Sequence, residues 1–161
     1  MMRLSEPSSI RGFTLVELVM VIILVGVLSA LGIGLFARSS GFSPLLVTQQ
    51  LESATLLAQQ AALAGNPSSS LTVSRSSTEL VFQAAGSRFA ISHEGASISY
   101  RRSDQASFQT VGSPGLTIGF NGFGRVSAPA SGVGYQFRIS GDSDYGVCLS
   151  PLGAVYRGSS C

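Results

Sequence analysis

The segment from residue 13 to residue 36 constrains this chain most, because its 24 residues are almost all apolar and include a single charge, Glu17. A helix rises about 1.5 Å per residue, so a run of this length can cross a hydrocarbon core of about 30 Å. We therefore predict a membrane-spanning helix. Arg3 and Arg11 precede it, and positive charge favours the cytoplasmic side. The body of the chain is then expected on the exported side.

Two simpler interpretations of the apolar run are a cleaved secretory signal and a plain membrane anchor. Secretory signals have apolar regions of about 7 to 15 residues that end at an Ala-x-Ala-like site. This run is longer and offers only Ala30-Leu31-Gly32. A plain anchor does not account for Glu17, because a carboxylate inside a membrane is costly without a positive partner.

The residues around Glu17 form a recognisable signature. Gly12 is followed by Phe13-Thr14-Leu15-Val16-Glu17 at the start of the apolar run, and this resembles the type IV prepilins and the pseudopilins of type II secretion. The resemblance implies that a prepilin peptidase cuts between Gly12 and Phe13 and N-methylates Phe13. It also implies a single-pass protein of the bacterial inner membrane, with its head in the periplasm, that later enters a pilus or pseudopilus.

The same resemblance assigns an assembly role to Glu17. In the family this carboxylate pairs with the N-terminal amine of a neighbouring subunit, so Glu17 would position one subunit against another. A buried carboxylate needs such a positive partner to offset its lost hydration. The alternative is a contact within one subunit, from Glu17 to the amine of its own Phe13, one helical turn back.

A second, amphipathic helix is predicted after the apolar run. Ser43-Pro44 is typical of a helix start and Gly65-Asn66-Pro67 of a helix end. Between them an apolar stripe recurs at helical spacing, with polar residues off it. The stripe is Val47, Leu51, Ala54, Ala58 and Ala61, and the residues off it are Gln49, Glu52, Thr55 and Gln59.

Strand periodicity dominates from Ser70 onward, because apolar residues there alternate with polar ones. The alternating sets are Leu71 and Val73; Leu80 and Phe82; Phe89 and Ile91; Ile98 and Tyr100; Leu116, Ile118 and Phe120; Val133, Tyr135, Phe137 and Ile139; Tyr145, Val147 and Leu149; and Leu152, Ala154 and Tyr156. Ala85-Gly86, Glu94-Gly95 and Asn121-Gly122 are turn signals between closely spaced runs, so we expect a meander of hairpins.

The predicted fold class is α+β, with a long N-terminal helix, half membrane and half amphipathic, packed on an antiparallel β-sheet head. The expected division is a leader over 1–12 that is removed, a transmembrane or filament-core helix over 13–36, an amphipathic helix over 37–65, and a β-rich head over 66–161. After removal of the N-terminal part, roughly 120 residues remain, which suits one domain.

The two cysteines, Cys148 and Cys161, are expected to form a disulfide, because the exported side of a bacterial membrane is oxidising and two cysteines there most simply pair. The alternative is one buried cysteine and one free cysteine at the chain end. A C-terminal disulfide loop resembles type IV pilins more than the usual pseudopilins.

Two stretches near the C-terminus suggest a subfamily. They are FNGFGRVSAP at 120–129 and VCLSPLGAVYR at 147–157, and they resemble the GspH/FimT-type minor subunits, in particular the minor pilins of mannose-sensitive haemagglutinin (MSHA) pili. The resemblance implies a minor pilin that primes or caps a filament made with other pilins. The alternative implied by the superfamily is a type II secretion pseudopilin.

Nucleic-acid binding is a further alternative. The chain has ten arginines and no lysine against eight acids, and this near balance argues against a broad basic surface. Local candidates are Arg101 and Arg102 beside Tyr100, and Arg157. Some FimT-type pilins bind DNA through Gly-Arg-x-Arg; the stretch 153–157 here lacks the first Arg. Solvated arginines on a sheet face are the simpler interpretation.

Enzymatic chemistry is not expected. The chain has one histidine, His93, and no phosphate-binding loop or nucleophile elbow. A single histidine and two cysteines that are expected to bond each other cannot build a zinc site. We therefore predict a structural protein without metal or cofactor.

Overall fold

The computed structural model describes residues 13–36, 43–93 and 95–161. The predicted leader, 1–12, lies outside the described residues, and so does 37–42, where a continuous or kinked helix would have to be judged. The chain divides into two compact units, Met1–Arg38 and Ser39–Cys161. We call the second unit the head and describe each unit by itself.

The first unit contains one described helix, α1, which spans Leu15–Phe36. Among the helices in the described part of the chain, none combines the length and the apolar character that a membrane crossing needs.

The head begins with α2, Ser43–Leu63. The helix ends where the Gly-Asn-Pro signal predicted. Gly65 has a positive φ of 72°, its N–H donates to the Ala62 carbonyl at 3.0 Å, and the N–H of Asn66 donates to the Ala61 carbonyl at 2.9 Å. This is a Schellman-type cap, in which a glycine in the left-handed region lets the chain turn back onto the last carbonyls.

The head continues with ten strands: β1 Ser70–Arg75, β2 Glu79–Ala84, β3 Ser87–Ser92, β4 Ala96–Arg102, β5 Gln109–Thr110, β6 Leu116–Phe120, β7 Val126–Ala128, β8 Tyr135–Gly141, β9 Tyr145–Leu149 and β10 Val155–Arg157. They form two five-stranded sheets with the orders β3-β2-β1-β6-β7 and β10-β9-β8-β4-β5. The registered strand pairs are antiparallel.

The core of the head lies where α2 meets both sheets. The five stripe residues predicted for α2 are all buried, with Val47, Leu51, Ala54 and Ala58 fully so. These four residues belong to one core cluster with large side chains from both sheets, including Phe82, Ile118, Phe137 and Ile139. Every residue of this core belongs to the head, which therefore has the hydrophobic interior of an independent domain.

One residue placed off the stripe by the sequence is buried instead. Thr55 is only 2% exposed, and its hydroxyl donates to the Leu51 carbonyl at 2.6 Å. This bond within the helix satisfies the hydroxyl, so a threonine can face the core.

The α+β prediction, with a helix packed against antiparallel sheet, is confirmed for the head. The predicted meander of hairpins is found over β1-β2-β3 and over β8-β9-β10, but it does not continue from β3 to β4. Ala85-Gly86 does form the hairpin between β2 and β3, with positive φ at both residues. Gly95, however, lies between β3 of one sheet and β4 of the other, so no hairpin joins these two strands; Glu94 lies outside the described residues. Alternation reveals strands but not their partners.

Candidate functional site

The N-terminal signature folds into a helix cap in which Thr14 and Glu17 bond each other. The N–H of Glu17 donates to Thr14 Oγ1, the N–H of Thr14 donates to Glu17 Oε2, and the Thr14 hydroxyl donates to the same oxygen, each at 3.2 Å. This reciprocal arrangement is a capping box. It fixes Glu17 in the first turn of α1, and the spacing Thr-x-x-Glu could have predicted it from sequence.

The described side chains of α1 are all exposed. They include large apolar groups from Leu15, which is 78% exposed, to Val19, which is 40% exposed. Phe13, which precedes the helix, is 82% exposed. A contiguous apolar surface of this kind marks a site that is covered by a membrane or by another protein. Of the two residues expected at the cleavage point, Phe13 is described and Gly12 lies outside the described residues.

The two C-terminal stretches that suggested a subfamily lie side by side in the structure. The N–H of Val126 donates to the Pro151 carbonyl at 3.1 Å. The side-chain Nε2–H group of Gln59 in α2 donates to the carbonyl of Gly124, at 3.4 Å, and to that of Gly153. One helix side chain therefore holds both turns.

The two turns present large apolar side chains to solvent. Phe123 is 83% exposed and Leu152 is 68% exposed. The alternation at Leu152, Ala154 and Tyr156 predicted a strand over this whole run, but β10 begins only at Val155. Leu152 instead lies in a turn closed by the bond from the Gly153 N–H to the Ser150 carbonyl, at 2.9 Å.

The three arginines considered for nucleic-acid contact do not form one basic patch with free side chains. Arg157 makes a two-point ion pair with Glu52 of α2. Its hydrogen bond to Glu52 raises the pKa of the Arg157 guanidinium above the ordinary value, so this group stays charged. Arg102 pairs with Asp104 at 2.6 Å.

Arg101 has an uncharged set of partners. Its Nη2 donates to Gln136 Oε1 at 2.6 Å, and its Cζ lies 5.1 Å from the centre of the Phe108 ring. The guanidinium of Arg138 lies over the same ring at 4.2 Å. The Phe108 ring thus contacts two guanidinium groups, and cation–π attraction stabilises this arrangement.

Arg101 and Arg102 line a cavity of about 280 Å³, whereas Arg157 lies outside its lining. The cavity also touches Tyr135, which is 1% exposed. Burial raises the pKa of the Tyr135 hydroxyl. This cavity could not be predicted from the sequence, because its walls come from segments that are distant along the chain.

Cys148 and Cys161, the predicted pair, are joined by a disulfide of 2.00 Å. The bond fixes the C-terminal residues against β9, to which the Gly158 N–H also bonds through the Gly146 carbonyl at 3.0 Å. In the described part of the chain, no three His, Cys, Asp or Glu side chains are grouped as a metal site requires.

Residues 7–33 match the family model of the prokaryotic N-terminal methylation motif. The match covers the predicted cleavage point and most of the apolar run, and it supports a type IV prepilin-like family. Comparisons with curated proteins and with solved structures gave no match.

Proposed function

We propose that this chain is a structural, non-enzymatic pilin subunit, cut between Gly12 and Phe13, held in the inner membrane by its apolar N-terminal segment, and then assembled with other pilins. The observation that carries the proposal is the methylation motif over 7–33, with its carboxylate, Glu17, in the first turn of α1. Prepilin peptidase and neighbouring pilins are the partners that this motif implies.

The apolar surface of α1 supports this proposal, because its side chains must be shielded from water both before and after the subunit is assembled. Lipid covers it before assembly, and the helices of neighbouring subunits cover it afterwards. Both environments exclude water from side chains such as Leu18, Ile22 and Leu28, each about 60% exposed in the single chain.

Glu17 has a double role in this account. Its hydrogen bonds to Thr14 use Oε2, and a carboxylate has a second oxygen that can accept from an amine. The carboxylate can therefore cap its own helix and still pair with the methylated amine of a neighbouring Phe13. In an apolar environment this charge pair offsets the cost of burying Glu17.

Two substitutions at Glu17 separate these roles. Glu17→Gln retains an acceptor for the capping box but removes the charge, whereas Glu17→Ala removes both. We expect both variants to be cleaved, and both to be nearly absent from the filament fraction sheared from cells. Normal assembly of Glu17→Gln with a defect confined to Glu17→Ala would show that Glu17 acts through the cap alone, and would contradict the charge pairing.

At a finer level we propose a minor pilin of the GspH/FimT type, most similar to those of MSHA pili, that primes or caps the filament. The support is the pair of adjoining turns held by Gln59, which correspond to the two resembling stretches. A pseudopilin of type II secretion is the competing assignment. Deletion of the gene separates the two, because a pilin predicts lost surface piliation with normal secretion, and a pseudopilin predicts the reverse.

A DNA receptor in uptake receives less support. Arg157 is occupied by Glu52 and Arg102 by Asp104, so phosphate would have to displace a carboxylate at each. A gel shift of the purified head tests this alternative. Binding that falls steeply with salt and is lost on neutralising Arg101, Arg102 and Arg157 would favour it, and no shift at low salt would exclude it.

A further inference from the structure

The sheet with the order β10-β9-β8-β4-β5 has an uneven distribution of charge. Its five strands contain four arginines and no aspartate or glutamate. Two of the arginines, Arg102 and Arg157, pair with carboxylates outside the sheet. The other two, Arg101 and Arg138, take part in none of the ion pairs that the described residues form. Among the described residues, no carboxylate pairs with either of these two cations.

Arg101 and Arg138 lie on the same face of this sheet. The register pairs Arg138 of β8 with Ser99 of β4, and Arg101 follows Ser99 by two positions, so the two arginines are diagonal neighbours. The bases of such side chains are about 7 to 8 Å apart, within reach of long side chains. Phe137 and Ile139, on either side of Arg138 along β8, belong to the core. The arginines therefore occupy the opposite, outer face.

The Phe108 ring brings the two guanidinium groups together. Cζ of Arg138 lies 4.2 Å from the centre of the ring, and Cζ of Arg101 lies 5.1 Å from it. Arg138 is exposed, and Arg101 and Phe108 are partly exposed, so solvent reaches this site. Cation–π attraction holds each cation on the ring, but two like charges on one ring repel each other. An anion bound by both arginines offsets that repulsion.

The free donors of the two arginines suit an anion with more than two oxygens. Arg101 uses Nη2 to donate to Gln136 Oε1 at 2.6 Å. Among the side-chain hydrogen bonds of the described residues, none uses the guanidinium of Arg138. Each guanidinium can hold a pair of oxygens. A carboxylate or a phosphodiester offers one such pair and a single charge, whereas a phosphate monoester offers three oxygens and about 1.5 to 2 negative charges at neutral pH.

We propose that Arg101 and Arg138 bind the phosphate monoester of a phosphorylated sugar, either free or at the end of a phosphorylated glycan. Ser97 and Ser99 of β4 lie on the same face, and their hydroxyls donate to carbonyls of β8 at 3.4 Å each. Hydrogen bonds of this length are weak, so the hydroxyls of a sugar can replace them. This binding role goes beyond filament assembly and does not depend on it.

Nucleic acid fits this face less well than a sugar phosphate does. The Phe108 ring already contacts two guanidinium groups, which leaves it less open to stacking by a base. Two cations also neutralise few of the closely spaced phosphates of a duplex, whereas proteins that bind DNA rely on many such contacts. The charge of the site therefore suits one compact dianion.

The position of Arg101 is fixed before a ligand binds. Gln136 accepts from Arg101, and its Nε2–H group donates to the Ser159 carbonyl at 2.5 Å. Ser159 belongs to the C-terminal segment that the bond between Cys161 and Cys148 holds against β9. A side chain that is already held in place loses little conformational freedom when a ligand binds.

The test is a calorimetric titration of the full-length protein in detergent micelles. The probes are glucose 6-phosphate, a trisaccharide with a terminal 6-phosphate, inorganic phosphate, glucose, and a DNA duplex without terminal phosphates. We expect saturable binding of both phosphorylated sugars, weaker binding of inorganic phosphate and of the duplex, and no binding of glucose. Tighter binding of the trisaccharide supports a glycan end as the ligand, and equal or weaker binding supports a free sugar phosphate.

Arg138→Gln is the decisive variant, because this guanidinium makes no ion pair or side-chain hydrogen bond in the described part of the fold. We expect an unchanged or higher melting temperature and a loss of about tenfold or more in affinity for glucose 6-phosphate. Phe108→Leu keeps both charges but removes the ring that positions them, so it should also weaken binding. Arg125→Gln is the matched control, because it removes an exposed arginine beside β7 of the other sheet.

The proposal is overturned if glucose 6-phosphate does not bind, if inorganic phosphate or the DNA duplex binds as tightly, or if either folded site variant binds like Arg125→Gln. A failure of peptidase processing would leave these results unchanged, because the titration uses the unassembled chain.

Discussion

Arg157 of β10 and Glu52 of α2 form a two-point ion pair, with Nε 2.7 Å from Oε1 and Nη2 2.9 Å from Oε2. The two residues are 105 positions apart in the sequence, and their pairing ties the last strand to the helix at the centre of the head. The same contact occupies the edge of the guanidinium that would face a phosphate, so one interaction both supports the fold and argues against nucleic-acid binding.

Substitutions of Arg157 and Glu52 should have effects on stability that are not additive, because the two side chains interact directly. We expect Glu52→Gln and Arg157→Gln each to lower the melting temperature of the head slightly, less so in high salt, because both groups are partly exposed to screening. The double variant should be no less stable than the worse single one. Thermal unfolding measures all three.

The pair between Arg88 and Glu79 is the control for that cycle, because its one contact is 3.4 Å long and both side chains are about half exposed. Glu79→Gln should change the melting temperature less than Glu52→Gln does. Simple additivity of the Glu52 and Arg157 effects would contradict a direct coupling.

Gly153 should not tolerate a side chain. Its φ is +96°, and a Cβ would strike the Gly124 carbonyl and Nε2 of Gln59. We expect Gly153→Ala to lower the free energy of unfolding by about 2 kcal/mol or more, through backbone strain and separation of the two turns. Gly122→Ala is the matched control, since nothing lies within 4 Å of its Cβ. Urea unfolding of the head measures both, and equal effects would argue against the close approach.

The disulfide should stabilise the head by restricting its unfolded chain. Cys148 and Cys161 are 13 residues apart, and closure of a loop of this size contributes about 3 kcal/mol in the chain-entropy model. Replacing both cysteines with serine should lower the free energy of unfolding by about that amount. Reductant should destabilise the unaltered head equally and leave the double variant unchanged. A reductant effect on the serine variant would show that the loss has another cause.

Alkaline pH should destabilise the head through Tyr135. Burial raises the pKa of its hydroxyl above the ordinary value of 10.0, so the folded state holds this proton more tightly than the unfolded state does. The contribution of this protonated hydroxyl to the stability of the head is complete below about pH 10, and it is lost as the pH rises through the pKa in the folded state. Tyr135→Phe should therefore lose less stability than the unaltered head above pH 10, as followed by urea unfolding. If the free energy of unfolding fell equally steeply with pH in both proteins, the raised pKa of Tyr135 would be contradicted.

The sequence predicted what depends on local pattern. The stripe of Val47, Leu51 and Ala58 is readable because helical spacing places these residues on one face. The connection from β3 to β4 was misassigned as a hairpin, because alternation does not say which strands pair. Thr55 was placed outside the core, because its hydroxyl finds a partner within the helix only once the helix exists.

The candidate sites divide in the same way. The N-terminal motif is continuous, so Gly12, Phe13 and Glu17 could be named from the sequence. The cavity could not, because Arg102, Tyr135 and Cys161 meet only after β4 pairs with β8 and the disulfide closes. Arg157 could be named, but its occupation by Glu52 depends on how β10 packs against α2.

The central claim, that this chain is a processed pilin subunit, is tested most directly by the intact mass of the membrane-extracted protein after co-expression with a prepilin peptidase. The account predicts a chain that begins at N-methylated Phe13, and an uncut chain when the peptidase is inactive. A chain that still carries Met1 in the presence of active peptidase, or one cut after Gly32, would contradict the account.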